Sequence, residues 1–337
     1  MKTLLILLTA CCVLCGQLAA AETGGKAGPF VFAYFNTGRG EAQGLQLACS
    51  RDGYTWTRIE PPDDCFLKPA VGGKLMRDPS VVQGPDGTFH MVWTTGWSGS
   101  GVGIGVAHSK DLLHWSEQKH VDVMQDYPGC ANVWAPEITC DGKTGTCLIY
   151  WASTIPGRFP ETEAHGDMFS REPVKGVRCN HRIYVTTTRD FESYTPTKLF
   201  FDDGYSCIDA FVVRDPPRDR WVMAVKDEEA RPVPKKNIRL AFAKSPLGPW
   251  SKSSAPISPD WVEGPALLKV GEEWFLYYDA YTRHRYEGLR TTDFEHWTSI
   301  TEQLHMPDGI RHGTAFPVTE EILQGLLGVK PVHPVKP

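Results

Sequence analysis

Apolar and polar residues alternate along most of the chain with a period of two. Runs rich in β-branched and aromatic residues are separated by turn sequences such as Gly-Pro-Asp-Gly, and the most regular runs lie at 30–35, 88–94, 147–152, 220–225 and 273–280. Alternation bounded by Gly, Pro and Asp is typical of β-strands with one buried face. A helical apolar period is confined to one or two turns near 320–327. The pattern therefore predicts an all-β protein.

A short unit recurs behind these runs: a strand that ends in Ser or Thr, a charged turn, and then an aromatic residue. Its five copies are Ser50-Arg51-Asp52 to Trp56, Ser109-Lys110-Asp111 to Trp115, Thr188-Arg189-Asp190 to Tyr194, a degenerate Lys244-Ser245 to Trp250, and Thr292-Asp293 to Trp297. One copy alone indicates only a hairpin turn with a packed aromatic ring. Because a four-stranded propeller blade needs about 40–50 residues plus loops, five copies in register predict a five-bladed β-propeller.

The two ends of the predicted domain can close this ring. The first strand, at 29–35, has no strand before it and takes the second place in its blade, while an orphan strand follows at 312–318. If the last strand lies innermost in the first blade, the ring closes and a free sheet edge is removed. We therefore expect the propeller to span residues 22–320, followed at 321–337 by a short helix and a Pro-rich tail.

The first 21 residues have the pattern of a secretory signal peptide. Lys2 precedes an apolar stretch at 4–14, and a run of three alanines at 19–21 offers a small-residue cleavage site. This stretch is too short for a membrane span, and no later segment reaches the roughly 18 apolar residues that a span needs, so no transmembrane segment is predicted. The alternative is a lipoprotein signal that anchors the chain at Cys11. We expect a secreted or periplasmic protein.

Charge and cysteine content narrow the choice of partners and cofactors. The formal net charge is −5, and it becomes −6 when Lys2 leaves with the signal. Such an acidic chain has no electrostatic basis for binding nucleic acid or an anionic membrane. The mature chain keeps an odd number of cysteines without the spacing of zinc ligands. Cys140 and Cys147 flank a turn-rich loop, and we predict that they form a disulfide between two hairpin strands.

The first strand of each blade opens with ionisable residues. The five openings are Arg77-Asp78-Pro79-Ser80, Trp134-Ala135-Pro136-Glu137, Ile208-Asp209-Ala210, Glu263-Gly264-Pro265 and Arg311-His312-Gly313. Each is ordinary by itself, because Asp before Pro is a common turn residue and a lone His is more often a core residue than a ligand. Carboxylates at the start of buried strands, however, are seldom tolerated unless they are paired or used. Their recurrence in every blade indicates one shared site at the mouth of the central channel.

Three carboxyl groups in these openings suit the cleavage of a glycosidic bond. One carboxyl group must protonate the leaving oxygen, and another must activate water or attack the anomeric carbon. A third carboxylate nearby can keep the acid protonated through like-charge repulsion. Asp78, Asp209 and Glu263 supply these three groups, so the sequence predicts a glycoside hydrolase.

The ordered set of openings resembles glycoside hydrolase family 43, within the five-bladed propeller glycosidases, from about residue 30 to residue 318. This resemblance implies that Asp78 is the general base and Glu263 the general acid. It implies that Asp209 is the carboxylate that orients the acid and tunes its pKa. It also implies inversion of the anomeric configuration, so that Asp78 activates a water molecule instead of forming a covalent bond.

The two remaining openings have other roles in this resemblance. The second opening of the family often ends in Asp, where this chain has Glu137, so we expect Glu137 to hydrogen-bond in the site and not to perform the chemistry. His312 resembles a histidine that lies beside a hydrated calcium ion in many members. Calcium in the central channel is therefore compatible with the resemblance, although no cofactor is required and the chain has no acidic loop of its own that would demand the ion.

The loops that follow the second strands of the blades should surround this site. The predicted substrate contacts are Trp97, Trp134, Glu137, Arg285 and His312. Aromatic faces pack on the C–H faces of sugars, and Arg binds hydroxyl groups. Blade packing explains Trp97 equally well, and solvent exposure is the alternative for Arg285. A long insertion at 155–178 should close one side of the funnel.

The resemblance also implies the substrate class, a plant cell-wall-type polysaccharide or oligosaccharide. The released sugar would be a terminal pentose, either α-L-arabinofuranose or β-D-xylose, and we favour the arabinofuranoside. A deep funnel favours chain ends or side branches over internal bonds. Galactan-directed members exist in the family as well, and no residue in the sequence excludes them.

Two further classes of function stay open. A retaining, fructan-cleaving propeller would also carry Asp, Asp and Glu on successive blades, but the first channel strand here lacks a Trp-Met-Asn-Asp-Pro start. A sugar-binding propeller without catalysis would be favoured by the loss of one carboxylate, and none is lost. The distance between the two catalytic carboxyl groups separates the enzymatic alternatives, at about 6.5–9.5 Å for inversion and about 5–5.5 Å for retention.

Overall fold

The computed structural model describes residues 28–36, 44–99 and 103–329, and these residues form a five-bladed β-propeller of antiparallel sheets. The predicted fold class is confirmed. The expected signal peptide with its Cys11 alternative, and the Pro-rich tail from residue 330 onward, lie outside the described residues. Within the described ranges, no helix has the length and apolar character that crossing a membrane requires.

The strands of each blade follow one another from the central channel to the rim. The first blade contains β1 (Phe30–Asn36), β2 (Gln46–Ser50) and β3 (Thr57–Ile59), and the second contains β4 (Arg77–Gln83), β5 (Phe89–Thr94), β6 (Ile104–Ser109) and β7 (Lys119–Val121). The third contains β8 (Trp134–Asp141), β9 (Thr146–Ser153), β10 (Arg182–Thr188) and β11 (Lys198–Phe201), with the one-turn helix α1 (Pro160–Glu163) in the insertion before β10.

The remaining elements complete the ring. The fourth blade contains β12 (Cys207–Asp215), β13 (Arg220–Asp227) and β14 (Ile238–Ala243), and the fifth contains β15 (Glu263–Val270), β16 (Glu273–Ala280), β17 (Arg285–Thr291) and β18 (Thr298–Ser299). They are followed by β19 (Ile310–Pro317) and the helix α2 (Glu320–Leu327). Short 3-10 helices lie at Pro216–Arg218 and Thr301–Gln303.

β19 closes the ring by pairing with β1 in the first blade. The pairing is antiparallel, with Phe30 opposite Pro317 and Tyr34 opposite Gly313, and the sheet order is β19-β1-β2-β3. The predicted closure is confirmed, and it removes the free edge that β1 would otherwise have. Helix α2 then packs Leu323 into the core between the first and second blades.

The repeated sequence unit forms a hydrogen-bonded turn at the outer end of a blade. In the first copy the Ser50 hydroxyl accepts a bond from the Gly53 N–H at 2.9 Å. The Asp52 carboxylate accepts bonds from the N–H groups of Tyr54 and Thr55, both at 2.8 Å. Equivalent carboxylate bonds are made by Asp111, Asp190 and Asp293. Side chains that bond their own backbone in this way are what makes these residues common in turns.

The fifth copy of this turn differs by one residue from the sequence assignment. The hydroxyl that accepts a bond from the Phe294 N–H, at 3.0 Å, belongs to Thr291 and not to Thr292. Thr291 is buried at the end of β17, whereas Thr292 is exposed. The position of the hydroxyl at the buried strand end, which the first three copies share, therefore identifies Thr291 as the turn residue.

The structure describes every residue of the fourth blade, and this blade has three strands. Serine side chains cover the edge of its outer strand, β14. The hydroxyl groups of Ser251, Ser254 and Ser258 accept bonds from the N–H groups of Phe242, Leu240 and Ile238, all at 2.9–3.0 Å. Residues 251, 254 and 257 return backbone N–H bonds to the carbonyls of the same three β14 residues at 2.7–2.9 Å. The edge of β14 is thus satisfied without a regular fourth strand, where the sequence repeat is degenerate.

The aromatic residue of the repeat packs between neighbouring blades. Phe32 of β1 lies edge-on to Trp56, with 5.4 Å between ring centroids, and edge-on to Tyr286 of β17 at 5.7 Å. Such edge-to-face pairs contribute about 0.5–1.5 kcal/mol each beyond the area that they bury. Rings from the first and fifth blades therefore help to hold the closed ring together.

Cys140 of β8 and Cys147 of β9 form a disulfide, as predicted. The two residues lie opposite each other in the β8–β9 hairpin. The other cysteines of the described residues carry free thiols: Cys49, Cys65, Cys130, Cys179 and Cys207.

Candidate active site

The opening of each inner strand contains a β-bulge. In β4, Arg77 pairs with Thr94 and Ser80 with Val92, so two residues on β4 face one on β5. β8, β12 and β15 show the same break in register at their own openings. The residue in the break has a positive φ, +52° at Asp78, +46° at Ala135, +51° at Asp209 and +60° at Gly264. Bulges redirect side chains next to active sites, and left-handed φ is uncommon for residues other than glycine.

The three predicted catalytic carboxyl groups lie in one pocket. Asp78, Asp209 and Glu263 line a cavity of about 150 Å³ at the mouth of the channel. Trp97, Trp134 and His312 line the same cavity. This volume is below the roughly 300–1,000 Å³ that is usual for drug-sized ligands, and it suits a single sugar ring.

Asp78 is held in its ionised form by its neighbours. Its Oδ2 accepts a hydrogen bond from the Thr94 hydroxyl at 2.9 Å, and its Oδ1 lies 3.4 Å from Nδ1 of His312. Burial alone would raise the pKa of Asp78, but the contact with His312, the charge of Arg77 and the Thr94 bond lower it below its usual value. Asp78 is therefore a carboxylate near neutral pH and can accept a proton.

His312 lies between two buried carboxyl groups. Its Nδ1 faces Asp78, and its Nε2 lies 3.7 Å from Oε1 of Glu137. Burial lowers the pKa of His312, but the charges of Asp209 and Asp78 and the hydrogen bonds to Asp78 and Glu137 outweigh it and hold that pKa well above its usual value. Gly264 makes room for the ring, since a Cβ at this position would lie 2.5 Å from Cγ of His312.

Glu137 lies behind His312 and is almost fully buried. The hydroxyl of Ser80 donates a hydrogen bond to its Oε2. Burial raises the pKa of Glu137 to about 7, although His312 and Ser80 act in the opposite direction. Glu137 thus hydrogen-bonds within the site, in the second layer behind the pocket lining.

Asp209 contacts the strand that carries Glu263. Its Oδ2 accepts a hydrogen bond from the backbone N–H of Gly264 at 3.0 Å. Burial raises the pKa of Asp209 to about 6; His312 and Lys226 oppose this rise, while Glu263 and Asp78 add to it. Asp209 and Glu263 therefore lie next to each other in a cluster of carboxyl groups.

Two cations contact Glu263. Nη2 of Arg311 lies 2.9 Å from Oε1, and Nζ of Lys226 lies 3.4 Å from Oε2. Arg311 also bonds to Asp279 of β16, while Nζ of Lys226 lies 2.7 Å from Glu228. Glu263 is therefore held by one cation from β13 and one from β19.

The importance of Lys226 was missed in the sequence. This side chain is 2% exposed and lies at the channel end of β13, directly after an apolar run. Burial lowers the pKa of Lys226, but Glu228, Glu263 and Asp209 raise it well above its usual value. A charged residue that continues a buried apolar strand toward the predicted site is the signal that could have identified it.

The other predicted substrate contacts have distinct positions. The guanidinium groups of Arg77 and Arg171 stack on the ring of Trp97, at 4.6 and 4.5 Å from its centroid. Trp134 donates a bond from Nε1 to the Trp97 carbonyl at 2.9 Å. Arg285 lies outside the carboxylate pocket, in a neighbouring groove, where its Nε is 3.0 Å from Glu287. The structure thus brings the two tryptophans to the pocket and leaves Arg285 beside it.

The residues around His312 do not fit a calcium ion held through that histidine. Both ring nitrogens face carboxyl groups, and Ca²⁺ takes six to eight oxygen ligands. Across residues 28–36, 44–99 and 103–329, no three His, Cys, Asp or Glu side chains converge as a ligand set. The His312 ring occupies the position between Asp78 and Glu137, so no catalytic step is assigned to a metal.

The chain is similar in sequence to known glycosidases. The profile of the family described as a probable glycosyl hydrolase domain, related to glycosyl hydrolase family 43, matches residues 27–323. An α-L-arabinofuranosidase of Bifidobacterium longum subsp. longum is 24% identical over 155 residues, which are 41% of this chain and 14% of that protein. The chain thus spans about one seventh of the length of this relative.

Several solved structures are similar to part of the chain at low sequence identity. An exo-β-1,3-galactanase from Clostridium thermocellum is 14% identical, with a TM-score of 0.49 over 66% of this chain and 47% of that one. A thermostable family-43 glycoside hydrolase is 17% identical, with a TM-score of 0.47 over 69% and 75% of the two chains. A putative exo-β-1,3-galactanase from Bifidobacterium bifidum s17 is 12% identical, with a TM-score of 0.48 over 69% and 72%.

Proposed function

Because the chain belongs to the family of probable glycosyl hydrolase domains related to family 43, we propose that it is an inverting glycosidase that releases one sugar from a chain end. The observation that carries this proposal is the convergence of Asp78, Asp209 and Glu263 in one small pocket. Two carboxyl groups with separate partners are what hydrolysis of a glycosidic bond requires.

Asp78 is the proposed general base. Its contacts with Thr94 and His312 favour the carboxylate, so it can take a proton from a water molecule that attacks the anomeric carbon. His312 stabilises this carboxylate, and Glu137 contacts the other nitrogen of the His312 ring and holds its orientation. The C–O bond to the leaving group breaks as the bond to water forms, and the configuration at the anomeric carbon inverts.

Glu263 is the proposed general acid. It gives its proton to the glycosidic oxygen, and Arg311 and Lys226 stabilise the carboxylate that remains. Asp209, which bonds the N–H of the residue next to Glu263, positions the strand that carries the acid. Because the pKa of Asp209 is raised to about 6, this carboxyl cluster can retain a proton in mildly acidic solution.

The proposed substrate is a plant cell-wall-type oligosaccharide or polysaccharide that ends in a pentose. The volume of about 150 Å³ admits one terminal sugar ring, and Arg171 of the third-blade insertion stacks on Trp97, which lines this cavity. α-L-Arabinofuranose and β-D-xylose are the two candidate sugars, with a β-D-galactoside as the alternative for the same pocket. Export from the cell, through the sequence at 1–21, is part of the same proposal.

Release of 4-nitrophenol from α-L-arabinofuranoside, β-D-xyloside and β-D-galactoside substrates tests the proposal. We expect activity on a pentoside, and Asp78→Asn should lower it by about 10²–10⁴-fold because general base catalysis is lost. Glu263→Gln should lose much less on the nitrophenyl substrate than on the matching oligosaccharide, because nitrophenolate leaves without full protonation. Asp126→Asn, at an exposed carboxylate between the second and third blades, is the control and should behave as wild type.

Three results would contradict parts of this proposal. Full activity of Asp78→Asn would remove Asp78 from the mechanism. A product with retained anomeric configuration, measured by NMR during the first turnovers, would indicate a nucleophile in place of a base. Binding of arabino- or xylo-oligosaccharides without turnover would support the alternative of a sugar-binding propeller.

A further inference from the structure

Trp261 combines two features that packing does not explain. Its φ is +63°, and its side chain is 40% exposed. A left-handed φ is strained for a bulky residue, and such strain persists when the surrounding structure imposes it. Leu112, Phe191 and Phe294 also have positive φ, but their side chains are buried in the blade turns. At those positions burial offsets the strain, whereas the exposed ring of Trp261 gains little from burial.

The backbone on both sides of Trp261 is fixed by hydrogen bonds. The carbonyl of Asp260 accepts a bond from Arg283 at 3.1 Å, and its carboxylate accepts one from Asn237 at 2.8 Å. The N–H of Val262 donates to the Lys236 carbonyl at 3.0 Å, and the Val262 side chain is fully buried. The direction of the Trp261 side chain is therefore set by its anchored neighbours.

Trp261 is close to Glu263 along the chain and contacts an aromatic residue that neighbours the site. It precedes Glu263 by two residues, and its ring lies edge-on to Tyr281 at 6.4 Å between centroids. Nζ of Lys226, which contacts Glu263, lies 5.3 Å from the centre of the Tyr281 ring. The two aromatic rings thus lead outward from the proposed general acid.

A second groove begins at the same place. Tyr281 and Arg311 line a cavity of about 600 Å³ between the fifth blade and β19, together with His284, Arg285 and Asp308. Arg311 also contacts Glu263, so this one side chain lies between the groove and the carboxylate pocket. The groove has room for more than one sugar ring, whereas the pocket has room for one.

We propose that Trp261 and Tyr281 form a platform for the sugar on the leaving-group side of the scissile bond. The general acid must contact the glycosidic oxygen, so the departing sugar has to lie on the Glu263 side of the pocket, where these rings are. Aromatic rings pack on the C–H faces of pyranose and furanose rings. The assignment rests on the proposed function and adds a specificity determinant for oligosaccharides over substrates with small leaving groups.

A pair of substrates that differ only in the leaving group tests the platform. The glycosyl fluoride of the sugar selected by the nitrophenyl panel, which is α-L-arabinofuranosyl, β-D-xylosyl or β-D-galactosyl fluoride, places no sugar on the platform. The matching disaccharide and trisaccharide place a sugar on the platform. Trp261→Gly removes the ring at a residue type that accepts the positive φ, so the backbone is not disturbed. Its loss of kcat/KM on the oligosaccharides should exceed its loss on the fluoride by about tenfold, the size of a single aromatic contact.

Further variants separate the ring from the backbone. Trp261→Asn also tolerates a left-handed φ and should repeat the result of Trp261→Gly, whereas Trp261→Phe keeps an aromatic face and should recover most of the oligosaccharide activity. Leu247→Ala, at another exposed apolar side chain in the fourth blade, is the control and should not change the ratio.

The outcomes distinguish the platform from the proposed function. Equal losses on the fluoride and the oligosaccharides, or no loss on either, would overturn the platform. Turnover of both substrates by the wild-type protein would at the same time leave the proposed hydrolase function standing. A wild-type protein that cleaves none of the glycosides would overturn the proposed function, and the platform with it. Recovery in Trp261→Asn in place of Trp261→Phe would also exclude an aromatic contact.

Discussion

The pKa values of individual pocket residues depend on the groups that each residue contacts. His312 is placed between Asp78 and Glu137, whereas Glu263 is placed between Arg311 and Lys226. The pKa of Asp78 is lowered by its contacts, and the pKa of Glu137 is raised to about 7 by burial. The two carboxyl groups that contact His312 thus have pKa values shifted in opposite directions, because their environments differ.

Glu137 should make the stability of the protein depend on pH. Its folded pKa of about 7 exceeds its usual value of 4.5, so the folded state binds a proton that the unfolded state has lost. The free energy of unfolding should therefore fall as pH rises from 4.5 to about 7. Glu137→Gln should reduce this slope without abolishing it, because Asp209 contributes in the same direction up to about pH 6.

Urea denaturation at several pH values across this window measures the slope. Glu302→Gln, which changes a largely exposed carboxylate, is the matched control and should keep the wild-type slope. If Glu137→Gln and wild type lose stability in parallel, Glu137 does not bind a proton in the folded state.

The sequence identified the carboxyl groups of the site better than their neighbours. Asp78, Asp209 and Glu263 stood out because each occupies the opening of an inner strand, where a charge is costly. Lys226 and Trp261 belong to the ends of other strands and loops, and their positions depend on how blades four and five face each other. A pattern along one strand carries no information about that contact.

The elements of the propeller depend on local turn chemistry as much as on apolar periodicity. The hydroxyl of Thr291 accepts bonds from the N–H groups of Asp293 and Phe294, at 3.1 and 3.0 Å, and so closes the turn after β17. Thr291→Val keeps the shape of the side chain but removes the acceptor for both donors, of which the Phe294 N–H is buried. We expect it to lower the free energy of unfolding by about 1–3 kcal/mol.

Thr292→Val is the natural control for this prediction. The neighbouring side chain is exposed, so its substitution should change stability by no more than about 0.5 kcal/mol. Urea denaturation of both variants gives the comparison, and equal effects would return the turn to the assignment made from sequence alone.

Periodicity predicted the strands and the repeat, but it could not predict the bulges. The positive φ of Asp78 and of Asp209 follows from a mismatch of register between paired strands. The proline after Asp78 is compatible with such a break, because it has no N–H to offer to the ladder. The same proline is equally common in an ordinary turn, so only the paired structure distinguishes the two.

At the scale of the whole molecule, the ring depends on the seam between β1 and β19. The seam joins the first and last strands of the propeller and places His312 beside Asp78, so closure and the proposed site depend on the same pairing. Sequence predicted this arrangement because a strand was missing at one end and left over at the other. The close approach of the two backbones could not be inferred, since it depends on the packing of the strands.

Gly313 is the residue at which this approach is tightest. A Cβ added there would lie 2.0 Å from the carbonyl oxygen of Ala33 in β1, which cannot move without breaking the pairing. Gly313→Ala should therefore destabilise the protein by at least about 1–3 kcal/mol, the usual cost of overpacking, and speed hydrogen exchange at the β1 amides. Gly142→Ala, where the added Cβ meets nothing within 4 Å, should be close to neutral.

Because His312 precedes Gly313, the molecules of Gly313→Ala that remain folded should also have a lower specific activity than the wild-type protein. If activity instead follows the folded fraction alone, the seam supports the fold without positioning His312.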